Sequence, residues 1–245
     1  RQELNIRINQ DMVLGSSLSL NGVAGQNVQI MIDGVPVIGR VGDDIDLSQI
    51  NLNQIERVEI VEGPLSVQYG TNALGGVVNL ITKKSQLKRF EASVETQYQS
   101  IGWKTGNASL GFRPTDRLLL QVQGGRTEFK GYNPVAPASE EESRTSLWNP
   151  KDQTFLGGAL RYDLGGDRFI RYSINGFDEE VRNLGAMRRP QFKPYAFDDY
   201  YRTRRMDHAL QQEGSLGKNF YLQTTAGYNR FRRITNTYRL DFETE

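Results

Sequence analysis

The chain of 245 residues is long enough for one large domain or two ordinary ones, and its formal charge of +1 gives no case for nucleic acid or acidic partners. Cysteine is absent, which excludes disulfides, thiol nucleophiles and cysteine–metal sites. No window holds the roughly eighteen apolar residues of a membrane helix, but a β-barrel stays open, because its strands hide lipid-facing residues in alternation with polar ones.

Residues 1–27 carry short mixed runs broken by Gly15, Gly22 and Gly25. Residues 12–17 read as an apolar-tipped loop and 18–20 as a short strand. Residues 28–37 form a buried strand with an Asp33-Gly34 turn signal. A polar, glycine-rich loop follows at 39–44. Val58, Ile60 and Val61 make a β-rich run that stops at Gly63-Pro64, since proline lacks the N–H that a ladder needs. Tyr69-Gly70 and Gly75-Gly76 mark two tight bends, and residues 77–82 form a second strand apolar enough to be buried on both faces.

From residue 88 onward a period of two dominates. Phe90, Ala92, Val94, Thr96 and Tyr98 alternate with Glu91, Ser93, Glu95, Gln97 and Gln99. The same alternation recurs at Leu118, Leu120 and Val122, at Leu156, Leu160, Tyr162 and Leu164, at Ile170, Tyr172 and Ile174, and at Phe220, Leu222, Thr224, Ala226 and Tyr228. With weaker runs at 104–112 and 204–216, about seven strands are expected, each with one apolar face and one face suited to water. Short turns at 114–116, 165–167 and 217–219 alternate with long polar, aromatic segments at 131–151 and 183–203. Outer-membrane barrels sort their connections this way.

The order Glu56-Arg57-Val58-Glu59-Ile60-Val61-Glu62-Gly63-Pro64, then Tyr69-Gly70, then Ala73-Leu74-Gly75-Gly76-Val77-Val78-Asn79, resembles the end of the plug domain of TonB-dependent outer-membrane transporters. Residues 28–37 and 46–50 resemble the preceding plug strand and turn, so the likeness runs over about sixty residues. The resemblance implies an all-β membrane barrel with an N-terminal α+β plug. Residues 1–84 would be the C-terminal part of the plug, and 85–245 the first strands of the wall. Plugged lumens of this kind have about 22 strands, so the expected molecule is a partial chain of a 22-stranded antiparallel β-barrel. The earlier plug portion, with the contact region for the energy-coupling protein, is expected before Arg1.

Such a protein needs no catalytic set, no cofactor and no metal; it binds solute on outer loops and the plug apex. The implied apex residues are Arg40, Asp43 and Asp44, with Leu14 and Ser16 on the neighbouring loop. The loop candidates are Tyr132, Trp148, Arg188, Arg189, Tyr195, Phe197, Tyr200, Tyr201 and Arg202, because aromatics give large contact area and arginine adds charge-assisted bonds. For any one of them the plainer reading is packing among the loops or a place in the interfacial aromatic girdle. In the family, basic groups that latch the plug stand where this chain has Asn21 and Glu62; Glu62 is instead expected to face a lysine or arginine of the wall. His208, the single histidine, sits at a lipid or girdle position and is read as structural. Asp198-Asp199 and Glu140-Glu141-Glu142 match no defined calcium loop and are read as solvated charge.

The resemblance implies TonB-dependent import of a scarce large solute, such as a siderophore–iron chelate or cobalamin, across the Gram-negative outer membrane. Outer-membrane lipid, a TonB-type energy-coupling protein and the solute are the expected partners, with a surface lipoprotein as a further candidate. The alternative is a plugged barrel serving as a docking or structural subunit of a larger envelope complex.

Overall fold

The structure, a computed structural model, describes residues 6–11, 15–40, 43–63, 73–83, 89–135, 144, 146–191, 193–217 and 219–242. The apolar-tipped stretch 12–14, the bend at Tyr69-Gly70 and the acidic run at Glu140 lie outside the described residues, as does the expected boundary at Lys84.

A small unit forms first. Strands β1 (Ile6–Asp11) and β2 (Gly15–Leu20) pair antiparallel. A four-stranded sheet follows in the order β4-β3-β6-β5, built from β3 (Val28–Ile32), β4 (Val35–Pro36), β5 (Ile55–Glu62) and β6 (Gly76–Thr82). The expected β-run and its buried partner are thus β5 and β6, paired antiparallel, while β3 runs parallel to β6. Asp33 (φ +48) and Gly34 (φ +78) turn β3 into β4, the geometry that a two-residue hairpin of this type requires. Helical structure among the described residues of this unit is confined to 3-10 turns at Gly25–Asn27, Leu47–Gln49 and Leu52–Gln54. Asp46 caps the second turn, its Oδ1 accepting from the Ser48 N–H at 2.9 Å and from the Ser16 N–H at 2.9 Å.

Leu20, Val28, Ile30, Val37, Ile45, Ile50, Val78 and Leu80 form the core of the unit, and Met31, Ala73 and Val77 a second apolar cluster. β6 is buried on both faces because it is central, between β3 and β5. Gly76 fits this place for a steric reason: a Cβ there would lie 2.6 Å from Leu20 Cδ2 and from the Val61 carbonyl.

The rest is one seven-stranded antiparallel meander. Its strands are β7 (Phe90–Tyr98), β8 (Trp103–Thr115), β9 (Leu118–Phe129), β10 (Lys151–Gly165), β11 (Arg168–Leu184), β12 (Tyr195–Leu216) and β13 (Phe220–Asp241), each hydrogen-bonded to the next in sequence. The register pairs even residues with even and odd with odd in every ladder, up to irregularities beside two of the short turns. Pro114 sits in one of these irregularities, where its missing N–H disrupts nothing. Even-numbered side chains therefore share one face of the wall and odd-numbered ones the other.

Phe90, Val94, Leu110, Val122, Leu156, Leu210 and Phe220 lie exposed on the even face, with Val94 78% accessible. Phe90, Val94, Val122, Leu156 and Phe220 are among the residues that the alternation singled out as lipid-facing, and Leu110 and Leu210 lie in its two weaker runs. The strands run longer than the sequence pattern suggested. Much of the expected loop 183–203 belongs to β11 and β12, and β13 continues to Asp241. Beyond the apolar band charged residues such as Glu180, Arg202 and Arg204 enter the even face, so the alternation that reveals the strand fades while the ladder continues.

Candidate functional site

The odd face of the wall is the one that receives the amino-terminal unit, and hydrogen bonds and ion pairs dominate the contact between them. Arg171 on β11 lies at its centre. Its Nη1 stands 2.7 Å from Asp33 Oδ2, its Nη2 donates to Thr82 Oγ1 at 3.1 Å, and both partners of the pair are largely shielded from water. Thr82 in turn donates its N–H at 2.9 Å and its hydroxyl at 2.6 Å to the same Asp33 carboxylate. Gln211 on β12 donates to the Asp33 carbonyl, closing the cluster. Burial acts to raise the Asp33 pKa, but the Arg171 charge and the Thr82 and Arg171 hydrogen bonds outweigh it and hold the carboxyl below its ordinary value.

A second cluster lies further along the same face. Glu179, 1% exposed, accepts from Gln49 Nε2 at 3.1 Å and from Gln153 Nε2 at 2.6 Å, with Lys151 Nζ 3.6 Å away. Lys151 and Gln153 also reach Ser48, at its hydroxyl and its carbonyl. Arg205 donates to the Gln49 carbonyl at 2.8 Å and pairs with Asp207 at 3.0 Å. Gln49 Oε1, Arg205 Nη1 and Asp207 Oδ1 have no protein partner and border a cavity of about 40 Å³, room for an ordered water with polar partners on several sides. Further bonds join Asn51 to Asn107, Gln54 to Gln123, and Asn229 to the Pro36 carbonyl. Close packing supports them at Gly39, where a Cβ would fall 2.3 Å from the Phe231 ring.

The sequence did not single out Asp33, Gln49, Arg171, Glu179 or Arg205 as site residues. A usable signal was present: charged side chains on the water-side parity in mid-strand need a partner, and a neighbouring domain is the nearest source.

The expected apex residues divide. Arg40 is half-buried and donates to the carbonyls of Gly25 (2.8 Å), Asp43 (2.9 Å) and Val28 (3.0 Å), so its guanidinium holds the loop together. Burial lowers its pKa while Asp44 and Asp43 act in the opposite sense. Asp43 is exposed in a left-handed conformation (φ +70) and Asp44 next to it is half-buried, while Ser16, half-buried in strand β2 and not in a loop, donates its N–H to Asp46. Leu14 lies outside the described residues.

Of the loop candidates, Tyr132 and Trp148 face each other across a two-residue bridge with ring centroids 5.7 Å apart. Arg188 bridges to Tyr195 and lies over Phe197; Tyr195 packs edge-on against Phe197, and Arg189 is exposed nearby. Tyr201 is on the inward parity under Arg233. Tyr200 and Arg202 are on the opposite parity: Tyr200 packs on Tyr238 and Arg202 binds Glu180 at 2.7 Å, both turned away from the unit inside the wall. Glu62 ends β5, the exposed edge strand, and the cation expected opposite it is not found among the described residues. His208 lies outward between Tyr172 and Tyr228, with the Tyr172 hydroxyl 2.7 Å from its Nδ1.

An antiparallel wall, apolar on one face and polar on the other, with a small folded unit bonded to its polar face, has the architecture of a plugged membrane β-barrel. Residues 3–77, most of the amino-terminal unit, match the family described as TonB-dependent Receptor Plug Domain. The chain is 25% identical over 203 residues to the vitamin B12 transporter BtuB of Vibrio cholerae serotype O1, an alignment covering 82% of this chain and 30% of that protein. It therefore spans under a third of the length of the curated relatives that it matches. Among solved structures, the siderophore receptor PirA of Acinetobacter baumannii superposes with a TM-score of 0.59 at 16% identity, over 95% of this chain and 41% of that one. The ferric enterobactin receptor PfeA of Pseudomonas aeruginosa, as a variant in complex with enterobactin, gives 0.57 at 18% identity over 86% and 37%. At these identities the likeness is one of fold.

Proposed function

We propose that the full-length protein is an energy-coupled importer of a scarce large solute, a metal chelate or cobalamin, across the outer membrane. Residues 1–84 would supply the later part of the plug and residues 85–245 the first wall strands. The observation that carries this reading is the polar seam around Arg171 and Glu179. A plug that must leave or rearrange within the lumen is better held by hydrogen bonds that water can replace than by a continuous apolar interface. The plug match and the vitamin B12 transporter among the relatives support the same reading. A TonB-type protein would supply the pull, through a segment outside this chain.

Solute would meet Tyr132, Trp148, Arg188, Arg189, Tyr195 and Tyr201, with Asp43, Asp44 and Ser16 at the plug apex. Tyr200 and Arg202, on the outer face, are assigned to the wall. The decisive experiment is uptake of labelled cobalamin and of labelled ferric siderophores by a strain lacking the gene, with and without the full-length protein. Restored uptake of one class, abolished when the energy-coupling protein is removed, is the expected result. Unchanged uptake together with loss of a co-purifying envelope complex would replace transport by a docking role.

A further inference from the structure

On the even, outward face of the wall the apolar band ends at a row of charge. Arg126 pairs there with Asp152 at 2.7 Å, Arg202 with Glu180 at 2.7 Å and Arg204 with Asp178 at 2.5 Å. The balance fails at one place. Arg204 stands directly across the ladder from Arg232, and Arg230 is opposite Met206 one step below. Like charges placed directly opposite destabilise a sheet. Asp178 answers Arg204 alone, and neither Arg230 nor Arg232 has an ion pair among the described residues.

Beneath these three guanidinium groups lies an outward groove of about 450 Å³, spread over four strands. Leu156 and Met206 form its apolar floor, and Gly176, with no side chain, leaves the space between them open. Among the described residues, positive charge that meets no ion pair thus stands immediately above an apolar slot, at the level where the strand pattern turns from lipid-facing to wet.

We infer that this groove binds a phosphate-bearing lipid of the leaflet at the long-loop end, its headgroup held by Arg204, Arg230 and Arg232 and an acyl chain lying along Leu156, Gly176 and Met206. Arginine suits the headgroup because its planar fork bonds phosphate oxygens in pairs, and such bonds are charge-assisted. The row at Arg202 and Glu180 is already neutralised and offers no such demand. The site is independent of the transported solute and rests only on the barrel fold.

The test uses the full-length protein in nonionic detergent, with retention of lipid A read by native mass spectrometry. Inorganic phosphate serves as competitor, and phosphatidylcholine as the control lipid lacking net charge. Arg230→Gln combined with Arg232→Gln is expected to weaken lipid A retention about tenfold or more, since each charge-assisted bond lost corresponds to roughly a tenfold change. Gly176→Val keeps every charge and fills the slot; its added Cβ meets nothing closer than the Leu156 carbonyl at 3.6 Å, so the wall should still form. It is expected to lower retention of lipid A as well. Arg232→Lys, which keeps the charge, should retain more lipid than Arg232→Gln, and this pair serves should the double variant fail to fold. Equal retention by the double variant and the parent would overturn the inference. So would full displacement by inorganic phosphate with no effect of Gly176→Val, which would leave an anion site without a lipid.

Discussion

The interior of the plug and the seam between plug and wall are both buried, yet they are made of opposite materials. Inside the plug, Leu20, Val28, Ile30, Val78 and Leu80 pack apolar side chain against apolar side chain. At the seam, Asp33, Gln49, Arg171, Glu179 and Arg205 supply the central ion pairs and hydrogen bonds. An apolar core has nothing to gain from water, so it is lost only by unfolding. A polar seam can exchange its partners for water group by group. The two regions therefore differ less in how much they stabilise than in what happens when they open: one unfolds the plug, the other releases it still folded.

The most severe break should come at the seam. Arg171→Met leaves Asp33 buried without its cation, a loss of about 3–5 kcal/mol in plug docking. Hydrogen exchange on the full-length protein should show β3 and β6 still protected, while protease reaches the plug more readily; loss of β3 and β6 protection would erase the distinction drawn above. In the core, Leu20→Ala removes a fully buried side chain and should cost about 3 kcal/mol, here with faster exchange throughout β3 and β6. A core variant that released an intact plug would reverse the comparison.

Acid sharpens it. The folded pKa of Asp33 lies below its unfolded value, so its contribution is complete above the ordinary carboxylate value of about 3.9 and disappears as pH falls through the lower folded value. Plug release followed by limited proteolysis should therefore hold steady from neutral pH down to that range and rise only below it, whereas the apolar core carries no such dependence. Asp46→Ala removes the cap of the Leu47–Gln49 turn and the tie to Ser16, for about 1 kcal/mol of plug stability by thermal melting. Glu62→Gln, at an exposed strand end, should change stability by less than about 0.5 kcal/mol; a larger loss would reveal a partner for Glu62 on wall residues beyond this chain.

The two regions were also unequally legible. Val28, Ile30, Val78 and Leu80 announce themselves as apolar strands, and Phe90, Val94, Leu120 and Ile174 as one face of a wall, because burial and lipid select for hydrophobicity at a fixed period. Arg171 sat in that same pattern on the wet side, where a mid-strand charge calls for a partner but nothing local names Asp33 as that partner. The end of β11 and the first part of β12 were read as loop for a related reason. Where both faces meet water no alternation is written, and the ladder is held by cross-strand pairs such as Arg202–Glu180 that have no fixed spacing in sequence. Tyr200 and Tyr201 make the point at single-residue scale: both are loop-type aromatics in sequence, and only the strand that contains them sends one outward and the other toward the lumen.

By itself, then, the order of residues determined the strand count of the wall, the lipid-facing parity, the turn at Asp33-Gly34 and the plug-like run ending at Asn79. It could do so because each depends on neighbours a few positions apart. The pairing of Asp33 with Arg171, of Gln49 with Glu179, and the gathering of Arg204, Arg230 and Arg232 above Gly176 were decided by the tertiary structure alone. Those partners stand tens of residues or more apart, and a charge finds its counterpart through space rather than along the chain.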